Sequence, residues 1–231
     1  MPSGLLTLTF DAHDPARLAE FWAALLGRKV VREPSGALLP GDDTQVGLRF
    51  VAADSEQAGP DRVHLHLTST TSEDQTRTVA TALELGATHL DVGQLPEEEH
   101  VVLADPEGNP LCVIEAGNSF LADCGFLGEL ACDGTREVGL FWAEALDWPL
   151  VWDEDGETAI QSPRGGTKVA WGGPPVAPKR GRNRQRFDLT SRDVAAEVDR
   201  LVTLGATRLG ERDGGVELAD PDGNEFGVRQ G

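Results

Sequence analysis

The feature that most constrains this chain's fold is an internal repeat. The segments LELGATHL and ADPEGNPLCVIEAG, within residues 83 to 117, recur as VTLGATRLGERDGGVELADPDGNEFGVRQG at 202 to 231. Upstream, LAEFWAALLG at 18 to 27 is echoed by VGLFWAEALD at 138 to 147, and HLHLTS at 64 to 69 by RFDLTS at 186 to 191. The echoes keep their order, so the halves are collinear. The 231 residues divide near the AGNSF segment into 1–118 and 119–231, each of ordinary domain size.

Each half contains the same shorter pattern twice. A short alternating or apolar strand such as LLTLTF is followed by a helix with apolar residues at helical spacing: Leu18, Phe21, Trp22 and Leu25 in one copy, Val138, Phe141, Trp142 and Ala145 in the other. Asp14 stands as an N-cap, Pro15 at the first helical position, and Gly27 just past the end. The second helices, near 73–85 and 193–204, end at Gly86 and Gly205. Asp105-Pro106-Glu107-Gly108 and Asp220-Pro221-Asp222-Gly223 carry the type I turn signature, and each is expected to join two antiparallel strands. Four strand-helix-strands units result, starting near residues 4, 62, 126 and 184.

Composition narrows the partners. With 39 acidic and 20 basic side chains the formal net charge is -19, which opposes nucleic-acid phosphates and anionic membrane surfaces and accommodates a neutral or cationic small molecule. The basic run Lys179, Arg180, Arg182, Arg184 and Arg186 has no interleaved aromatics and reads as a solvated crossover loop rather than a nucleic-acid patch. Cys112, Cys124 and Cys132 form no C-x-x-C pair, so neither a disulfide framework nor a zinc knuckle is indicated. No stretch approaches the roughly 20 apolar residues of a membrane span, and the N-terminus lacks the basic and apolar regions of a signal peptide. A cytoplasmic protein is expected.

The residues DAHDPARLAEFWAALLG, the strand RVHLHL, LGAT, and the DPEGN turn with its following strand resemble the vicinal oxygen chelate superfamily, which groups glyoxalases, bleomycin-resistance proteins and ring-cleaving dioxygenases, and in particular its glyoxalase-like branch. The resemblance implies an α+β fold in which four βαβββ modules pair into two glyoxalase-like domains, 1–118 and 119–231, with curved mixed sheets around clefts for a small molecule or a divalent metal. Fold does not settle function, because this superfamily includes enzymes and plain binders.

The resemblance also indicates where metal ligands would stand: on first and last strands, typically His or Gln with Glu. In domain 1, His64, with His66 as its alternative, and Glu115 meet that pattern, while the matching position of the first strand is Thr7 and the inner strand QVGLRFV offers only Gln45 or Arg49. Two ligands are fewer than the three usual for a catalytic ion. In domain 2, Arg186 and Gln230 replace His64 and Glu115, so any chemistry is expected in the first half. His66, Trp152, Trp171, Arg186 and Gln230 are the candidate ligand contacts, the tryptophans because their faces suit flat or cationic compounds. His13, His89 and His100 fall near predicted turns. There is no P-loop, G-x-G-x-x-G fingerprint or G-x-S-x-G elbow, so no catalytic residue is singled out.

The expected function is metal-independent binding of a neutral or cationic small molecule, of the glyoxalase/bleomycin-resistance type, sequestering a toxic compound. No cofactor is then required. The alternative is a metal-dependent lyase, isomerase or dioxygenase with a divalent metal in domain 1. The chain is expected as a monomer, internally a pseudo-dimer, or as a homodimer.

Overall fold

The computed structural model describes residues 4–53, 59–95, 97–212 and 214–231. The strands and helices form four βαβββ modules. Module one holds β1 (Gly4–Ala12), α1 (Pro15–Leu26), β2 (Val31–Glu33), β3 (Gly36–Leu39) and β4 (Gly47–Ala52). Module two holds β5 (Val63–Leu67), α2 (Ser72–Glu84), β6 (Thr88–His89), β7 (Val101–Ala104) and β8 (Pro110–Val113). Module three holds β9 (Leu127–Cys132), α3 (Arg136–Leu146), β10 (Leu150–Glu154), β11 (Glu157–Gln161) and β12 (Lys168–Trp171). Module four holds β13 (Gln185–Ser191), α4 (Val194–Leu204), β14 (Thr207–Arg212), β15 (Gly215–Ala219) and β16 (Glu225–Gln230). The four starts lie within one residue of those read from the repeat.

Local signals act as their chemistry dictates. Asp14 accepts from the Arg17 backbone N–H, Pro15 opens α1, and Gly27 ends it in the left-handed conformation that glycine tolerates best. The two Asp-Pro turns join antiparallel strands, β7 to β8 and β15 to β16. They also do more than turn the chain. Asp105 accepts from Trp22 Nε1 at 3.1 Å and from Asn109 and Glu107, while Glu107 accepts from the backbone N–H groups of His13 and Asp14 ahead of α1. In the second half, Asp220 accepts from Trp142 Nε1 at 3.2 Å and Asp222 from Thr135. Each turn therefore clasps the first helix of its own half. Burial raises both aspartates, Asp220 to about 6, against the lowering effect of these hydrogen bonds.

The sheets, however, do not follow the halves. One eight-stranded sheet has the order β14-β15-β16-β13-β1-β4-β3-β2 and the other β10-β11-β12-β9-β5-β8-β7-β6. Modules one and four share the first sheet through antiparallel β1 and β13, and modules two and three share the second through antiparallel β5 and β9. This corrects the expectation of a cleft built within the first half, with His64 and Glu115 as its candidate ligands: module two shares its sheet with module three rather than with module one. All four modules present similar hydrophobic alternation, so pattern alone is compatible with either partner. Packed between sheets and helices is a core that includes Trp22, Trp142, Trp171, Phe10, Phe50 and Phe226. No helix is long and apolar enough to cross a membrane among the described residues.

Candidate functional site

Side chains directly opposite each other in paired strands share a face, so the registers place rows of residues across each sheet. In the sheet of modules two and three, Cys112, His66, Glu129 and Lys168 form one row over β8, β5, β9 and β12. The next row holds His64, Ala131, Ala170 and Ala159. Two of these alanines, Ala131 and Ala170, form an open floor. Beside them lies a cleft of about 640 Å³ lined by His64, Glu129, Lys168, Phe120, Val151 and Trp152, among others.

The equivalent rows of the other sheet are filled. Where the first sheet has His64, Ala131 and Ala170, this one has Arg186, Thr9 and Arg49; where it has His66, it has Asp188. Arg186 meets Asp11 at 2.5 Å, both buried, and Asp188 accepts from Thr9 Oγ1 at 2.6 Å with Arg229 at 3.3 Å and Arg49 at 3.8 Å. Arginine stems and ion pairs stand in the row where the first sheet has alanines. The clefts are unequal, but the inequality lies between module pairs rather than between halves.

His66 Nδ1 lies 2.6 Å from Glu129 Oε2. Burial alone would lower this imidazole, yet the hydrogen bonds to Cys112 and Glu129 and the glutamate charge outweigh it and lift His66 to about 9. His64 makes no hydrogen bond or ion pair with a carboxylate among the described residues. Burial, together with the neighbouring His66 and His100, pushes it down to about 4, so it stands as a neutral imidazole. The two rings are 5.0 Å apart. Lys168 Nζ donates to the Phe120 carbonyl and sits 4.3 Å from the centre of the Phe120 ring, whose edge meets Trp152. The connection between the halves is thus fastened as one wall of the cleft. Its Leu121 and Cys124 pack on Val102, Cys112 and Ile114.

The residues expected at a site divide accordingly. His64 and Trp152 come together at this cleft, with Trp152 40% exposed at its rim, and His66 adjoins it through Glu129. Trp171 is a core residue that backs the cleft wall from the opposite face. Glu115 lies beyond the end of β8, accepts from Asn118 Nδ2 at 2.8 Å, and borders a separate depression. The expected pairing of His64 with Glu115 is therefore not assembled. Arg186 is committed to the filled sheet, and Gln230 is exposed and donates to the Arg192 carbonyl.

Glu129, Lys168 and Cys112 were not among the expected site residues. Glu129 and Lys168 stand on short strands, where a charge on the buried face needs a reason. That is the signal by which they could have been found. His64, His66 and Cys112 can bring one donor atom each within 4.8 Å of one another. Two imidazoles and a thiol suit a borderline-soft divalent ion such as zinc, and Glu129 would orient His66 from behind. The donor chemistry fits a divalent metal, with His66 and Cys112 rather than Glu115 beside His64.

The family profile of the glyoxalase-like domain matches residues 7–114 and 129–229, so the chain belongs to the glyoxalase-like family. Among solved structures, glyoxalase I from Zea mays is similar over 98% of this chain and 92% of its own at 15% identity, with a TM-score of 0.70. A point variant of that enzyme covers 98% of this chain and 92% of its own at 17% identity and a TM-score of 0.68. At such identity the likeness concerns the fold. No curated protein matches the chain.

Proposed function

We propose that the protein binds a small molecule in the cleft between modules two and three and sequesters it without a metal. The observation that carries this reading is the contrast between the open alanine floor there and the filled counterpart in the other sheet. Trp152, Phe120 and Val151 offer an apolar wall, and a planar body suits it. The cleft lining carries Asp133, Glu157 and the His66-paired Glu129 against Lys168, and the net charge of the chain is -19, a balance that favours a neutral or cationic ligand. Each eight-stranded sheet is complete within one chain, so a monomer suffices for the site.

Tryptophan fluorescence titration with the cationic aromatic dye proflavine tests this reading. Quenching is expected in the wild-type protein, and Ala170→Leu is expected to weaken binding about 10-fold or more by filling the floor. Equal affinity for wild type and Ala170→Leu would refute the cleft as the site. Unchanged affinity after Trp152→Ala would remove the aromatic wall from the reading.

A second reading has its own observation in the His64, His66 and Cys112 cluster. It is a metal-dependent lyase, isomerase or dioxygenase, the class to which glyoxalase I gives a precedent within this fold. The bound ion would supply Lewis acidity. His64, His66 and Cys112 would hold it, Glu129 would fix the His66 ring, and the apolar wall would exclude water. Elemental analysis of protein purified without chelators separates the readings: near-stoichiometric zinc, iron, nickel or manganese, lost in His64→Ala and Cys112→Ser, would replace the metal-independent binder by the enzyme.

A further inference from the structure

One sheet contains an ion pair of which the other keeps only the acidic half. The Asp11 backbone N–H donates to the Arg184 carbonyl at 2.7 Å and that of Asp133 to the Arg62 carbonyl at 2.8 Å, so Asp11 near the end of β1 and Asp133 just after β9 are counterparts. Arg186 and His64 are counterparts in the same way, opposite Thr9 and Ala131. In the filled sheet the Arg186 guanidinium meets Asp11 at 2.5 Å. In the open sheet an imidazole stands where that arginine would be, and Asp133 makes no ion pair or side-chain hydrogen bond among the described residues.

Asp133 is half-buried and lines the cleft of about 640 Å³. Burial raises its carboxyl above the ordinary value, against the lowering field of Arg62, whose NH1 donates to the Ala177 carbonyl. The lysine of the cleft is at the other end: Lys168 lies opposite Glu129, two rows away and about 13 Å along the strands. Glu157, next to Thr158 on β11, brings a second carboxylate to the Asp133 end, and Trp152, opposite Ala159, stands one row in from it.

We propose that Asp133 anchors the cationic head of the ligand, and that this head is a planar amidinium or guanidinium seated where the Arg186 guanidinium sits in the other sheet. The anchor rests on the cleft being the ligand site, and it specifies the class of ligand. The filled sheet demonstrates that this backbone can hold a guanidinium against the aspartate from this position. A flat head with two N–H donors on one edge meets a carboxylate in bidentate fashion, and it offsets the cost of burying the Asp133 charge. The body of such a ligand lies over Ala131 and Ala170, with Trp152 and Phe120 as its aromatic wall. One copy of the fold thus supplies from its own chain the cation that the other takes from outside.

Calorimetric titration of the whole chain with 2-naphthamidinium and with its uncharged isostere 2-naphthamide tests the assignment. Wild-type protein is expected to bind the amidinium about 10-fold or more tightly than the amide. Asp133→Asn is expected to abolish that preference and to leave the affinity for the amide unchanged. His64→Arg, which installs the arginine of the filled sheet, is expected to abolish it as well, and decides the matter if Asp133→Asn does not fold. Equal affinity for the two probes in wild type, no binding of the amidinium, or a preference that persists in Asp133→Asn would overturn the anchor. Ala170→Leu separates this failure from failure of the cleft itself. If that variant weakens both probes while wild type shows no preference, the cleft stands and Asp133 is not its anchor; if it weakens neither, both readings fall.

Discussion

Asp11→Ala is expected to destabilise the protein by about 3–5 kcal/mol, the usual cost of breaking a buried ion pair from one side. The Asp11 and Arg186 side chains are 1% and 2% exposed and meet at 2.5 Å in the filled sheet. Removing the carboxylate leaves a guanidinium charge in a space where water cannot replace the lost partner. For a chain of this size the melting midpoint should fall by about 6–20 °C, readable by calorimetry or circular dichroism. The double variant Asp11→Leu with Arg186→Met should recover much of the loss, since apolar replacement of a whole buried pair is often nearly neutral. A single variant that melts within about 2 °C of wild type would show that this pair does not hold modules one and four together.

Glu129→Gln should lower His66 from about 9 in metal-free protein, because the glutamate charge is lost while the Cys112 hydrogen bond remains. Burial opposes the charged ring throughout, and the two hydrogen bonds with the Glu129 charge reverse that effect; the variant keeps the shape of the side chain and removes its charge. The sign of the stability effect follows. A histidine raised on folding contributes stability that is fully present below its unfolded value of about 6.5 and is lost as pH rises through about 9. The size is about 3 kcal/mol for a shift of this extent, and His66 is sufficiently buried that solvent screening removes little of it. Wild-type stability should therefore carry a decline between about pH 6.5 and 9 that is smaller in Glu129→Gln. NMR titration of the His66 ring reads the same change directly, and a variant ring still titrating near 9 would refute the assignment to Glu129.

Much of this was legible in the amino-acid order. Asp14, Pro15 and Gly27 bound α1 because capping and backbone conformation are decided within a turn of chain. The Asp-Pro turns announced antiparallel β7–β8 and β15–β16 for the same local reason, although their grip on Trp22 and Trp142 appeared only in three dimensions. His64 and His66 were candidates because the family resemblance puts ligands on first strands, and Trp152 because it stands on or near a predicted strand. Glu129, Lys168 and Cys112 were not, because a cross-strand row depends on register between segments far apart in sequence, and period-2 alternation says which face a residue takes but not whom it meets there.

The repeat itself was determined by sequence alone: four modules, their starting points and their helix boundaries follow from local patterns that each copy retains. Which modules share a sheet was decided only by tertiary structure. Interchangeable hydrophobic faces leave the partner open, and it is settled by how the strands dock, β1 on β13 and β5 on β9. That choice removes Glu115 from His64, brings Glu129 to His66, and leaves one cleft floored by Ala131 and Ala170 while Arg49 and Arg186 fill the other.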